Sequence, residues 1–526
     1  MLHLRSALIV DGTGAEPFRG DLLLEGDEIT AVGPGLDTPP GARVVDADGL
    51  AASPGFIDMH AHSDTAALEG DHRAKLAQGC TSEIVGQDGL SYVPSDADTA
   101  PQLAQVLTAW NGEQAPPWRT VADYLAAVDA GSAANLGYLV PHGTVRLLAM
   151  GWDHREPTDA ELARMKSLVD QGMREGALGL SAGLSYTPGM YADTAELVEL
   201  CRVVAAHGGY YSPHQRSYGA GALEGYAEML RIGRESGCAV HLAHATMNFA
   251  PNRGRANELT AMVDEAVDAG LDVTLDSYPY LAGSTMLSAL LPSWTAEGGA
   301  EAQLELLRDP EQRRRIVREL DVVGTDGAHG VPVDWTGIEI SGVADEGLAH
   351  LSGKSVAEAA GETAPAEFYL DLLIADRARS TCLMHVGDED NLRHIMRHPV
   401  HTGSSDGLLH GTRIHPRAWG SFPRYLGHYV REAGVLGIAE CVRHLTGAAA
   451  ARAGIADRGL LAAGKKADVV LFDPDTVAAG STYAEPRRLP EGIPYVFVNG
   501  RTVIDDGEPT GERAGRALRR NVRNHG

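Results

Sequence analysis

Apolar positions along the chain follow two rhythms. From residue 2 to about 50, short apolar runs are broken at Asp11-Gly12, Glu25-Gly26-Asp27 and Pro39-Pro40-Gly41. The same pattern returns between 460 and 510, around Val469-Val470-Leu471-Phe472 and Tyr495-Val496-Phe497-Val498. A strand pattern divided between the two ends predicts one small β domain built from residues 1–50 plus 460–510. Between them, apolar strand candidates alternate with helical periodicity. Glu161 to Val169 is amphipathic and precedes Ala177-Leu178-Gly179-Leu180-Ser181; Met262 to Ala269 precedes Val273-Thr274-Leu275-Asp276. Repeated βα units imply a parallel sheet, and at this length a TIM-like (β/α)8 barrel over 51–459 is expected. Residues 287–345 break the alternation with a charged helix, Glu311 to Glu319, and turn-rich sequence. They predict a lid inserted over the barrel mouth, and 511–526 remain as a C-terminal tail.

Composition narrows the class. The 526 residues are 44% apolar, and no apolar stretch nears the ~20 residues needed to cross a bilayer. The N-terminus runs directly into strand-like sequence, without the long apolar core of a signal peptide, so a cytoplasmic location is expected. The five cysteines (Cys80, Cys201, Cys238, Cys382 and Cys441) are scattered and form no Cys-x-x-Cys, which predicts reduced thiols. A formal charge of -27 disfavours nucleic acid or an anionic membrane as partner and mainly supports solubility. The oligomeric state stays open, a homo-oligomer included.

The candidate chemistry begins at His60-Ala61-His62, which closes the apolar run Gly55 to Met59. Alternate residues of an extended segment share a face, so the two imidazoles can address one cation. Further ligand types stand at later strand ends. His214 closes Tyr210-Tyr211-Ser212-Pro213-His214, and His241 and His244 are both candidates in Ala239 to His244, with His244 nearer the strand's end. Asp406, in Ser404-Ser405-Asp406-Gly407, could reach metal-bound water; its rival is Asp326, in Gly324-Thr325-Asp326-Gly327.

Together these residues resemble the amidohydrolase superfamily and, within it, the N-acyl-D-amino-acid deacylases. The resemblance is carried by Gly55 to His62, Gly176 to Ser181, Ser185 to Gly189, Asp276 to Tyr280, Ala282 to Thr285, Ser405 to Gly407, His415-Pro416-Arg417, Gly420 to Arg424 and Gly464 to Leu471. It implies an α/β fold: a (β/α)8 metal-dependent hydrolase barrel with a small β domain from both ends and a lid insertion. It also implies one metal site at His60 and His62 and a tight zinc site at His214, His244 and a bridging cysteine. In this chain the bridging turn reads Gly86-Gln87-Asp88-Gly89, so Asp88 stands where the family has the thiolate. The resemblance favours Asp406 over Asp326 as proton shuttle and metal neighbour. Relatives that bridge two metals through a carbamylated lysine have no counterpart here. Lys75 and Lys166 fall in helical stretches, and Lys465 and Lys466 in the terminal β domain.

Tyr186, Tyr278, Ser284 and Arg417 are implied as substrate contacts, with Arg417 gripping a carboxylate. Thr246 replaces a lysine usual in the family, and His142 is open between a site role and a structural one. The expected reaction is hydrolysis of a linear amide with one or two Zn2+ or other divalent ions. Its substrate is expected to be an N-acyl-D-amino acid. The alternatives are an Nε-acyl-lysine, a dipeptide, or a cyclic amide of the dihydroorotate or hydantoin kind, and more remotely a non-catalytic interaction protein.

Overall fold

The computed structural model describes residues 1–70 and 72–520. Its centre is a ring of eight parallel strands: β1 (Phe56–Asp58), β2 (Cys80–Val85), β3 (Asn135–Pro141), β4 (Gly179–Gly183), β5 (Tyr210–His214), β6 (Ala239–Leu242), β7 (Val273–Ser277) and β8 (His401–Gly403). Neighbours pair in sequence order in parallel register, as in Tyr210 opposite Gly179 and Tyr211 opposite Val240. The ring closes between first and last strand. Met59 N–H reaches the Gly403 carbonyl at 3.4 Å, and Asp406 N–H donates to the His60 carbonyl at 2.9 Å. Strands covered on both faces bury every residue of β2, β3 and β5, polar ones such as Glu83 and Asn135 included. The outer helices start at side-chain caps: Thr120 with Asp123, and Thr158 with Glu161, form reciprocal capping boxes.

Both ends of the chain share a second, nine-stranded sheet, in which Ala51–Pro54 lies between Leu2–Ile9 and Val469–Phe472. Phe56 fastens that sheet to the barrel; its ring stacks on Phe422 at 5.6 Å and lies 6.5 Å from Phe472. The insertion is larger than residues 287–345. Its three-stranded sheet joins Ala282–Met286, Ile338–Gly342 and Thr381–His385, and it encloses an apolar core around Leu287, Ile340, Tyr369 and Cys382. The helix Pro365–Ala375 packs there although its pattern matches a barrel helix, which is why alternation alone ends the insertion too early. The described part of the tail does not hang free: Ala517–Leu518 pairs in parallel with β3. Residues 521–526 lie outside the described residues. Among the described residues no helix is long and apolar enough to cross a membrane, and all five cysteines are free and buried.

Candidate metal centre

The C-terminal ends of the barrel strands bring six side chains to one point. His60 and His62 follow β1, Asp88 occupies the turn after β2, His214 ends β5, His244 follows β6 and Asp406 follows β8; all are buried. Asp88 lies between two histidine pairs. Its Oδ1 is 3.4 Å from both His60 Nε2 and His244 Nε2. Its Oδ2 is 3.7 Å from His62 Nε2 and 3.6 Å from His214 Nδ1. Asp406 Oδ1 stands 3.2 Å from His62 and 3.7 Å from His60. The result is two donor groups, His60–His62–Asp88–Asp406 and Asp88–His214–His244, with Asp88 in both.

Donors held tetrahedrally at about 2.0–2.2 Å from zinc stand about 3.3–3.6 Å from one another. Most of these separations fall near that value and are too long for hydrogen bonds. Both ring nitrogens of His60 and Oδ1 of Asp88 are buried without a hydrogen-bond partner, the state of groups arranged for an ion. Backbone geometry agrees, since Asp88, His244 and Asp406 hold φ of 54°, 31° and 48°. Left-handed conformations cost free energy in non-glycine residues and gather at functional sites. The Asp88 turn also needs a bare neighbour: a Cβ on Gly183 would meet the Asp88 carbonyl at 2.0 Å.

Supporting contacts orient the ligands. The Ser185 hydroxyl lies 2.5 Å from His214 Nε2, which leaves Nδ1 to face the cluster. Asp276 accepts the His244 N–H at 3.0 Å and the Ser404 hydroxyl at 2.5 Å. His241 points into the barrel interior, 2.9 Å from Asp276, and stands outside the cluster. Burial disfavours a charged His60, but the Asp88 carboxylate outweighs it and raises the imidazole to about 9. Burial likewise opposes the Asp88 carboxylate, yet His60 and His214 hold it well below its usual range. Asp406 is lowered in the same way, mainly by Arg417 against the cost of burial.

A cavity opens onto the cluster, and Tyr186, Tyr278, Ser284 and Arg417 all line it. Buried Arg417 places Nη1 2.9 Å from Asp406 Oδ2 and donates from Nη2 to the Ser284 carbonyl at 3.3 Å. Its guanidinium lies 4.4 Å from the Tyr278 ring centre, and its Nε has no hydrogen-bond partner. The Tyr186 hydroxyl meets Thr285 Oγ1 at 2.9 Å, and burial keeps that phenol protonated far above its ordinary range. Thr246 is in the wall, 2.6 Å from Asn248 Oδ1. His142 is not in the wall; it pairs with Glu196 at 2.7 Å. Asp326 is exposed and accepts the Ser293 N–H at 2.9 Å, away from the cluster. Sequence reasoning missed Asp276, Ser185 and the wall residues Trp110, Phe249, His329 and Met384. The first two stand in quoted motifs without a role, and the others come from a helix, the loop after β6 and the insertion, none of which carries a motif.

The amidohydrolase family profile matches residues 43–504 of the chain. The chain belongs to the amidohydrolase family. It is 34% identical to a D-aminoacylase of Alcaligenes xylosoxydans xylosoxydans, across 99% of this chain and 97% of that one. An N-acyl-D-aspartate deacylase of the same organism is 33% identical across 98% and 94% of the two chains. The crystal structure of N-acyl-D-glutamate deacylase from Bordetella bronchiseptica, complexed with zinc and a phosphonate mimic of the tetrahedral intermediate, superposes with a TM-score of 0.84. The two are 33% identical, and the match covers 98% of this chain and 99% of that one. In this amidohydrolase the donor atoms, their spacing and the unpaired His60 nitrogens and Asp88 Oδ1 fit zinc, with Asp88 able to serve both groups.

Proposed function

We propose that the chain removes the acyl group from an N-acyl-D-amino acid with a neutral side chain, releasing a carboxylate and the free amino acid. His214, His244 and Asp88 would hold one zinc, and His60, His62 and Asp406 would form a second site that shares Asp88. Bound zinc supplies Lewis acidity and lowers the pKa of water. The observation that carries the substrate reading is Arg417, buried in the same cavity with an unpartnered Nε and its guanidinium already aligned by Tyr278 and Ser284. A planar fork placed there suits the α-carboxylate. As the substrate takes up Arg417, Asp406 loses part of the cationic field that lowers it and becomes a better base for the attacking water. Asp406 then passes that proton to the leaving nitrogen, while the Tyr186 hydroxyl donates toward the developing oxyanion.

The names of the relatives support the D configuration, but aspartate-, glutamate- and unspecified D-amino-acid deacylases are all about equally similar. The wall favours a neutral side chain. Among the described residues Arg417 is its one Lys or Arg, and burial pushes His329 down to about 3, leaving it uncharged. The buried free cysteines support a reducing, cytoplasmic setting.

Purified, zinc-loaded protein assayed on N-acetyl derivatives of D-leucine, D-methionine, D-aspartate, D-glutamate and L-leucine tests this reading. The neutral D-substrates should give the highest kcat/KM. Their α-carboxamides should be poor, and Arg417→Lys should raise KM by about 10–100-fold. Equal turnover of α-blocked substrates would reject carboxylate recognition. A preference for D-glutamate would instead put the side chain in the neighbouring cleft beyond Tyr186, which Arg377 and Arg379 line.

A further inference from the structure

Directly behind half of the metal centre lies a second buried cluster of charge. Lys75, Asp58, Glu83, Ser63 and Ser405 are all fully buried. Lys75 comes from the short helix Arg73–Leu76, outside the ring, and its ammonium reaches inward between β1 and β2. Nζ lies 2.5 Å from Asp58 Oδ2, 3.2 Å from Glu83 Oε2 and 2.7 Å from Ser405 Oγ. Asp58 in turn uses both oxygens. Oδ1 accepts the backbone N–H of His60 at 3.2 Å and of Ser405 at 2.8 Å, while Oδ2 accepts the Ser405 hydroxyl at 2.5 Å. Glu83 accepts the Ser63 hydroxyl at 2.7 Å, and His72 Nε2 stands 2.5 Å from its other oxygen.

Apart from His72, the groups these carboxylates grip are a metal-centre residue or its neighbour: His60 itself, Ser63 next to His62, and Ser405 next to Asp406. None of the cluster's contacts reaches Asp88, His214 or His244, which are backed by Gly183, Ser185 and Asp276. Two carboxylates held out of water need a cation with short contacts to both, and Lys75 supplies it. We infer that Lys75 is a positioning residue for one half of the centre: through Asp58, Glu83 and Ser405 it holds His60, His62 and Asp406 in the geometry that binds the second metal. This rests on the zinc-centre reading above. The lysine acts as a clamp, since its amine is engaged by Asp58 and Glu83 and it lines none of the donor groups.

The test is zinc titration of the full-length metal-free protein against a chromophoric chelator, with His62→Ala marking the step that belongs to the second site. In Lys75→Met that step should weaken by about 10–100-fold, as for other lost outer contacts to ligands, while the Asp88–His214–His244 step moves less than threefold. On a neutral N-acetyl-D-amino acid, kcat should fall with KM nearly unchanged. Equal weakening of both steps would mean a general structural role and overturns the inference, as does an unchanged titration. Should Lys75→Met fail to fold, Ser405→Ala, which leaves the charges balanced, must show the same one-sided loss; a titration like wild type overturns the proposal. Absence of any zinc uptake by the wild type would sink the zinc-centre reading itself, a result distinct from one-sidedness failing in a protein that loads zinc.

Discussion

The two buried charged clusters lie a few residues apart in the chain and differ in one respect. Around Lys75, none of Asp58, Glu83, Ser63 or Ser405 has a buried polar atom without a partner; around Asp88, His60 Nδ1 and Nε2, Asp88 Oδ1 and Arg417 Nε are left without one. Each orphan of this kind costs about 1–3 kcal/mol, so the metal centre is held in place at the expense of stability and the lysine cluster is not. The difference separates a site that waits for a ligand from a scaffold that is complete before the ligand arrives.

The largest effect that would test this contrast is on chemistry. Asp406→Asn keeps the shape but removes the base, and kcat should fall by about 10²–10⁴ with zinc retained at the Asp88–His214–His244 site. A mild effect would move the proton shuttle elsewhere. Next in size is the response to zinc. If the centre is the unsatisfied region, zinc at about 100 times its Kd should stabilise the metal-free protein by about 2.7 kcal/mol, read as a rise in Tm.

The pH dependence of that binding has a definite sign. His60 is raised to about 9 in the metal-free protein, so at neutral pH its proton must leave as zinc binds, and affinity should climb with pH until about 9. The same shift means that the metal-free protein gains stability from a protonated His60 below its unfolded value near 6.5. That gain disappears as pH rises through 9. Glu83 behaves oppositely. It is lowered to about 2 because Lys75 and His72 outweigh its burial, so its contribution is present above about 4.3 and lost toward pH 2, with or without zinc. A zinc affinity that is flat between pH 6 and 9 would remove His60 from the centre. The smallest expected change is Ser185→Ala, which frees His214 to rotate and should lower zinc affinity by roughly tenfold without altering acid stability.

How much of this was legible in the sequence follows from the same contrast. His60, His62, His214, His244 and Asp406 were readable because strand ends in a parallel barrel converge, and a strand end can be recognised from its apolar run. Choosing Asp406 over Asp326 needed the family pattern, and the structure shows why the motif alone could not decide. Asp326 uses its carboxylate to hold Ser293 on the surface of the insertion. Lys75 stands in a helix, as its local pattern predicts, but periodicity carries no information on a four-residue helix whose lysine turns inward. Trp110, Phe249 and Met384 reach the cavity from three segments far apart in sequence. Alternation ends the insertion too early for the same reason, since an apolar helix such as Pro365–Ala375 packs as readily on a small accessory sheet as on a barrel.

The strand Ala51–Pro54 leads into β1 and the first histidines, and it is flanked by Leu2–Ile9 on one side and by Val469–Phe472 on the other. During synthesis the first partner is available at once and the second is not. At about 5–20 residues per second, that open edge persists on the order of 20–80 s while the whole barrel emerges from the ribosome. An unpaired edge invites wrong partners, so the nascent chain spends most of its manufacture in need of protection at the strand that introduces its metal centre.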